Sequence, residues 1–164
     1  MKKHVLSVLV ENHSGVLSRI SGLFSRRGYN IDSLSVGVTE DLNVSRMTIV
    51  TETDEYTLEQ IKKQLNKLVD VIKVIELKEE ASIYRELAMI KISANKKTRA
   101  EIIEIANIFR AHIVDVSNEA LIIEATGDQD KIKALTSMLE PYGIKEIIRT
   151  GLTALQRGEK ELKH

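Results

Sequence analysis

The chain of 164 residues has no cysteine, no tryptophan and a single proline. Without cysteine there are no disulfides, no thiolate nucleophile and no thiolate zinc site. The absence fits a reducing compartment, and a cytoplasmic protein is the expectation. Net charge is also missing: 24 Lys and Arg face 24 Asp and Glu. No global field draws this chain to nucleic acid or to an anionic membrane. Long apolar runs are lacking too. "MKKHVLSVLVEN" begins like a secretion signal, but its run from Val5 to Val10 is short and no small-residue cleavage site follows. Nothing approaches the length of a membrane span. Glycine-rich phosphate motifs, G-x-G-x-x-G or G-x-x-x-x-G-K-[ST], are absent. The four histidines, His4, His13, His112 and His164, show no metal-ligand spacing. Three of them read as structural; His13 sits in a turn considered below. Most carboxylates stand beside Lys or Arg on helix faces, as in "EQIKKQ", and read as solvated.

What is present is a repeated unit. Apolar residues make up 43% of the chain, enough for a packed core. "HVLSVLVE" (4–11) is a nearly continuous apolar run, the pattern of a central strand. From Val16 the period changes: Val16, Leu17, Ile20, Leu23 and Phe24 make one helical stripe that Gly28 ends. "NIDSLSVGVTE" (30–40) alternates as a strand, and "VSRMTIVTET" (44–53) follows as another. Leu58, Ile61, Leu65, Leu68 and Val69 mark a second helix, with Thr57 and Gln60 spaced as a capping box. "VIKVIELK" (71–78) completes βαββαβ. The order then recurs: a strand at 85–93, a helix at 98–109 with a Thr98/Glu101 box, two strands, a helix stopped by Pro141, and "IKEIIRT" as the last strand. The expectation is an α+β protein of two tandem ferredoxin-like domains, 1–79 and 84–164.

Fold alone does not assign function. An RNA-recognition module shares this topology but stacks bases on strand aromatics, and "VLSVLV" and "VSRMTIV" contain none. "GVLSR" (15–19) resembles part of the phosphate loop of acylphosphatases, without that family's glycine-rich remainder. The turn "NHSG" (12–15) is more informative. A helix starts just after it, so its first amides lack intrahelical partners and favour an anion. Gly15 lets a ligand approach the backbone, and Asn12 offers both a donor and an acceptor. A plain cap by Ser14 or Asn12 accounts for the same residues, and both readings stand at this point.

"LSVLVENHSGVLSRISGLFSRRGYNIDSLSVG", "SRMTIVT" and "EQIKKQLNKLVDVIKV" resemble the regulatory small subunit of acetolactate synthase (acetohydroxyacid synthase), whose N-terminal part is an ACT domain, an amino-acid-binding module. "REL..IKI", "FRAHIVDV" and "RTG...LQRG" extend the resemblance more loosely to the second half. The resemblance implies a chain with no catalytic residues or metal of its own. Its partner would be a catalytic large subunit carrying thiamine diphosphate, FAD and magnesium. The small subunit would activate that partner and confer feedback inhibition by valine in branched-chain amino acid synthesis. It further implies a homodimer through ACT domains, with the effector shared between chains. By residue match, Asn12, Gly15, Val16 and Leu17 of one chain and Asn30 and Ile31 of the other would hold it. A free-standing amino-acid sensor and an acylphosphatase-like hydrolase are the alternatives.

The residues accord with this placement. The second strand of a ferredoxin-like unit is an edge, and "NIDSLSVGV" carries neither Lys nor Pro to protect it. Asn30 would open that strand, where it could read a neighbour's ligand. Ser18, Gly22 and Ser25 give the first helix a small-residue face that another helix could approach. The equivalent turn of the second half, "SANKKTRAE", lacks the Ser-Gly pair, and assembly or contact with the catalytic subunit is its expected role.

Overall fold

The computed structural model describes residues 1–163; His164 lies outside the described residues. The chain divides into two compact units, the first formed by 1–84 with 152–163 and the second by 85–151.

In the first unit the elements run β1 (Lys2–Glu11), α1 (Val16–Arg26), β2 (Ser33–Val38), β3 (Val44–Thr53), α2 (Glu55–Asn66) and β4 (Val71–Glu76). The sheet order is β2-β3-β1-β4, so β2 is an edge, as the topology predicts. Central β1 lies antiparallel to β3, with Val5 opposite Val50 and Leu9 opposite Arg46. Residues 4–10 of β1 are all buried, which is why that run lacks polar alternation. Leu6, Val8, Met47 and Ile49 pack on Val16, Ile20, Leu23 and Phe24 of α1 and on Leu58, Ile61 and Leu65 of α2. Each such side chain contributes about 1.5–3 kcal/mol through burial. Gly28, at φ +69°, ends α1; Tyr29 N–H donates to the Phe24 carbonyl and Gly28 N–H to that of Ser25. This is the Schellman arrangement.

Several local expectations shift. Asp54, not Thr57, caps α2, its carboxylate accepting from Thr57 N–H at 2.7 Å. Val69 falls beyond the end of α2 and is 91% exposed rather than part of the stripe. Strand β2 begins at Ser33, three residues after Asn30.

The face of this sheet opposite the helices carries Val5 and Val50, which pack with Leu77, Leu152 and Ala154. Leu152 N–H donates to Ser33 Oγ at 2.8 Å, and Ser35 Oγ donates to the Leu152 carbonyl at 2.9 Å. After a 3-10 turn at Glu79–Ala81 the chain enters β5 (Ser82–Ser93). The C-terminal strand pairs with it. The expected domain 84–164 therefore loses its tail: Leu152 and Ala154 find their apolar partners in the first unit.

The second unit continues with α3 (Arg99–Ile108), β6 (His112–Val116), β7 (Ala120–Gly127), α4 (Gln129–Leu139) and β8 (Ile144–Arg149), and the chain closes with β9 (Thr153–Gln156) in the first. The second sheet runs β6-β7-β5-β8. Ile90, Ile92, Leu121 and Ile123 meet Ile102, Ile105, Ala106, Ile132, Leu135 and Leu139 from the helices. The Thr98/Glu101 box is not formed. Asn95 Oδ1 instead accepts from Lys97 and Thr98 N–H ahead of α3. Pro141 sits in a 3-10 turn directly after α4, where its ring ends the α-helix. Two antiparallel sheets with alternating helices make two ferredoxin-like βαββαβ folds. Among the described residues no helix is long and apolar enough to cross a membrane.

Candidate functional site

The turn from β1 into α1 is shaped by its backbone. Gly15 is the residue before the helix, at φ 88° and ψ −13°, and no side chain caps α1 there. The left-handed conformation costs glycine nothing and other residues about 1–2 kcal/mol. The plain-cap reading of Ser14 or Asn12 is thus not realised. Asn12 is occupied elsewhere: its Nδ2 donates to the Leu42 carbonyl at 2.8 Å and its N–H to that of Asn43 at 2.8 Å. It ties the turn to the β2–β3 hairpin and keeps its amide oxygen for other contacts. The first hydrogen bond at the start of α1 runs from Arg19 N–H to the Gly15 carbonyl at 3.0 Å. The N–H groups of Val16, Leu17 and Ser18 precede it and so lie outside the helical ladder.

The six residues expected to bind an effector fall into two groups. Asn12, Gly15, Val16 and Leu17 cluster at the start of α1. Val16 is 3% exposed and its side chain belongs to the core, so it can offer only its backbone amide. Leu17 is half exposed and presents apolar surface. Asn30 and Ile31 lie past the other end of α1. Eleven helical residues span about 16 Å, too far for one amino acid to touch both groups within a chain. Ile31 is half-buried against the core of the first unit. Asn30 is exposed; its carbonyl accepts from Thr51 Oγ1 at 2.7 Å and its Nδ2 donates to Asp32 Oδ1 at 2.5 Å.

The ion-pair network beside Gly15 escapes sequence reasoning, although "GVLSR" (15–19) puts Arg19 close to the turn. Arg19 Nε donates to Asp70 Oδ2 at 2.5 Å. Its guanidinium lies over Gly15, with Nη1 only 3.1 Å from where a Cβ at that position would stand. Asp70 Oδ1 meets His13 Nε2 at 2.9 Å, and Glu11 Oε2 is 3.2 Å from the same nitrogen. The Arg19 hydrogen bond, aided by the charges of Arg19 and His13, holds the buried Asp70 carboxyl below its usual range. The His13 pKa is raised, first by its hydrogen bond to the Ser14 carbonyl and then by Glu11 and Asp70. The donor atoms of Glu11, His13 and Asp70 lie within 4.8 Å of one another, a spacing that a metal ion could use. Asp70 is already paired with Arg19 through one oxygen and held by His13 at the other, so both its oxygens are engaged within the cluster. Arg19 and Asp70 are 51 residues apart, and only the fold joins them.

Comparison with known proteins identifies the family. Residues 6–73 match the family model of the AHAS small subunit-like ACT domain, and residues 85–158 match that of the small subunit of acetolactate synthase. The chain belongs to the acetolactate synthase small-subunit family. It is 57% identical over 157 residues to the acetolactate synthase small subunit of Mycolicibacterium smegmatis, covering 96% of this chain and 92% of that one. It is 54% identical over 159 residues to that of Mycobacterium bovis, covering 97% and 95%. The crystal structure of the acetolactate synthase small subunit from Thermotoga maritima superposes with a TM-score of 0.91 at 40% identity, covering 98% of this chain and all of that one. Membership of a small-subunit family makes a regulatory role and a catalytic large-subunit partner the coarse functional assignment.

Proposed function

We propose that this chain is the non-catalytic subunit that activates an acetolactate synthase large subunit and brings it under feedback inhibition by valine. The observation that carries the reading is the start of α1: left-handed Gly15, open amides at Val16–Ser18 and the Arg19 guanidinium above them. Open helix amides beside a guanidinium suit a carboxylate. Leu17 supplies apolar surface for a short branched side chain, whose burial contributes about 1.5–3 kcal/mol.

The second half of the site comes from another copy. Edge strand β2 leaves Val36 and Val38 exposed, and pairing two such edges across a two-fold axis forms the dimer. Asn30 and Ile31 of one protomer then face the α1 start of its partner. Ser18 and Ser25 are exposed along α1, where helices of the two protomers would approach. Because two chains share the ligand, valine tightens their association. Inhibition follows if the inhibited state binds valine more tightly, a coupling of about 1–3 kcal/mol. Thiamine diphosphate, FAD and magnesium belong to the large subunit in this reading. The second unit, with Lys96 and Lys97 in place of the Ser-Gly turn, serves assembly rather than valine.

Mixing the chain with the large subunit of its own organism and measuring acetolactate formation tests the proposal. The chain should raise the rate, and valine should lower it again. A mixture no faster than the large subunit alone leaves the free-standing sensor as the surviving reading; a faster mixture indifferent to valine overturns the feedback half of the proposal. The hydrolase alternative gains no support, since the glycine-rich remainder of a phosphate loop is absent around "GVLSR" (15–19).

A further inference from the structure

The segment before β2 is held in a way that fixes what Asn30 can recognise. Its backbone is pinned on both sides of Ile31. Thr51 Oγ1, on a residue 1% exposed, donates to the Asn30 carbonyl at 2.7 Å, and Asp32 N–H donates to the Val50 carbonyl at 2.8 Å. Ile31 packs inward, while Asn30 and Asp32 are exposed. Their side chains meet at 2.5 Å, Asn30 Nδ2 to Asp32 Oδ1. Charge settles which amide atom stands there. An amide oxygen that close to a carboxylate oxygen would be repelled, so the NH2 group faces Asp32. The Asn30 oxygen and the second N–H of its amide are then left to meet a ligand.

What the pair offers outward is therefore mainly acceptors, Asn30 Oδ1 and the second oxygen of Asp32, with one Asn30 N–H beside them. The pair also carries an unbalanced negative charge, since none of the ion pairs among the described residues involves Asp32. An acceptor set of that charge selects a donor cation, and a primary ammonium brings three N–H groups. Its net negative charge repels a carboxylate. The other half of the site has the opposite character, with open amides and a guanidinium.

We infer that Asp32, acting with Asn30, reads the α-ammonium group of the effector. The inference rests on the shared valine site proposed above and fixes the ligand's direction within it. The carboxylate lies at Gly15 and Arg19 of one protomer, and the ammonium lies at Asn30 and Asp32 of its partner. The ligand class is a free α-amino acid. A carboxylic acid or 2-oxo acid with the same side chain lacks the group that Asp32 reads, so the sensor answers to the aminated compound alone.

Calorimetric titration of the full chain tests this, with valine and with its amine-free analogue 3-methylbutanoate as probes. The unmodified chain should bind valine and not the analogue. Asp32→Asn removes the charge and keeps the shape; it should weaken valine at least tenfold, and Asp32→Ala more. Gly15→Asp should abolish binding. If both Asp32 variants bind valine as tightly as the unmodified chain while Gly15→Asp has lost it, the ammonium assignment is overturned and the site stands. If Gly15→Asp also binds valine unchanged, the site itself is wrong and the assignment falls with it.

Discussion

Gly15→Asp separates stability from regulation, and the structure supplies the magnitudes. At φ 88° a side chain costs about 1–2 kcal/mol, towards the lower end for aspartate, which tolerates this region better than most residues. A negative charge beside the start of α1 returns about 0.3–1 kcal/mol. The net loss is then about 1 kcal/mol or less, a shift of a few degrees in Tm for a unit of this size. The regulatory cost is larger. The new Cβ starts 3.1 Å from Arg19 Nη1, so the added carboxylate takes the place meant for the effector's own. Losing one or two charge-assisted contacts, each about 1.5–3 kcal/mol, removes about 3 kcal/mol of binding, more than a hundredfold in Kd. Acetolactate formation by the reconstituted holoenzyme, scored against each variant's own valine-free rate, gives the inhibition curve; a thermal melt gives the stability. Gly15→Ala carries the strain without the charge and should fall between the two. A Gly15→Asp protein that melts within a few degrees of the parent and is inhibited at the same valine concentration would refute the reasoning.

Other consequences are equally open to measurement. Leu152→Ala should cost about 2–3 kcal/mol in denaturant unfolding, since Leu152 is 2% exposed against Val5 and Val50, whereas exposed Leu155→Ala should change stability by no more than about 0.5 kcal/mol. Thr51→Val keeps shape and removes the donor to the Asn30 carbonyl; a loss of about 1 kcal/mol would weaken valine roughly fivefold by calorimetry, and Thr51→Ser should retain affinity. The imidazole of His13 should titrate above 6.5 by NMR, and Asp70→Asn should lower that midpoint only in part, because the Ser14 carbonyl and Glu11 remain. The sign for stability follows from linkage: the His13 contribution is complete below 6.5 and is lost as pH rises through the raised value. The Asp70 contribution is present at neutral pH and is lost only below the ordinary carboxylate range.

The doubled βαββαβ pattern was legible because each strand-to-helix change alters the apolar period, from the continuous run of β1 to the stripe of Val16, Ile20, Leu23 and Phe24. Gly28 marked the end of α1 for the same local reason, a positive φ. What escaped depends on distant partners. "TALQ" is too short to announce β9, and only the apolar face around Val5 and Val50 gives Leu152 and Ala154 a place. The cap of α2 was misplaced because Asp54 and Thr57 are both good capping residues, and geometry chose the earlier one. At the candidate site, Gly15 and Asn12 announced an unusual turn. Arg19 stood out only through the "GVLSR" resemblance and Asp70 not at all, because only the fold brings the two together. Asn30 was expected to open β2, but its clamp to Thr51 keeps it in the approach to the strand, and Asp32 drew no notice at all.

The return of β9 to the first unit reverses the order in which the two halves can finish during synthesis. Domains generally fold as they emerge, the N-terminal one first. Here residues 85–151 can complete their sheet once they have left the ribosome. The first unit must wait with Val5 and Val50 only partly covered, by Leu77 and its neighbours, until Leu152 and Ala154 arrive. Through that interval the nascent chain carries a sticky, half-dressed sheet, the kind of surface that chaperones bind. The earliest part of the protein to be made is the last to be sealed.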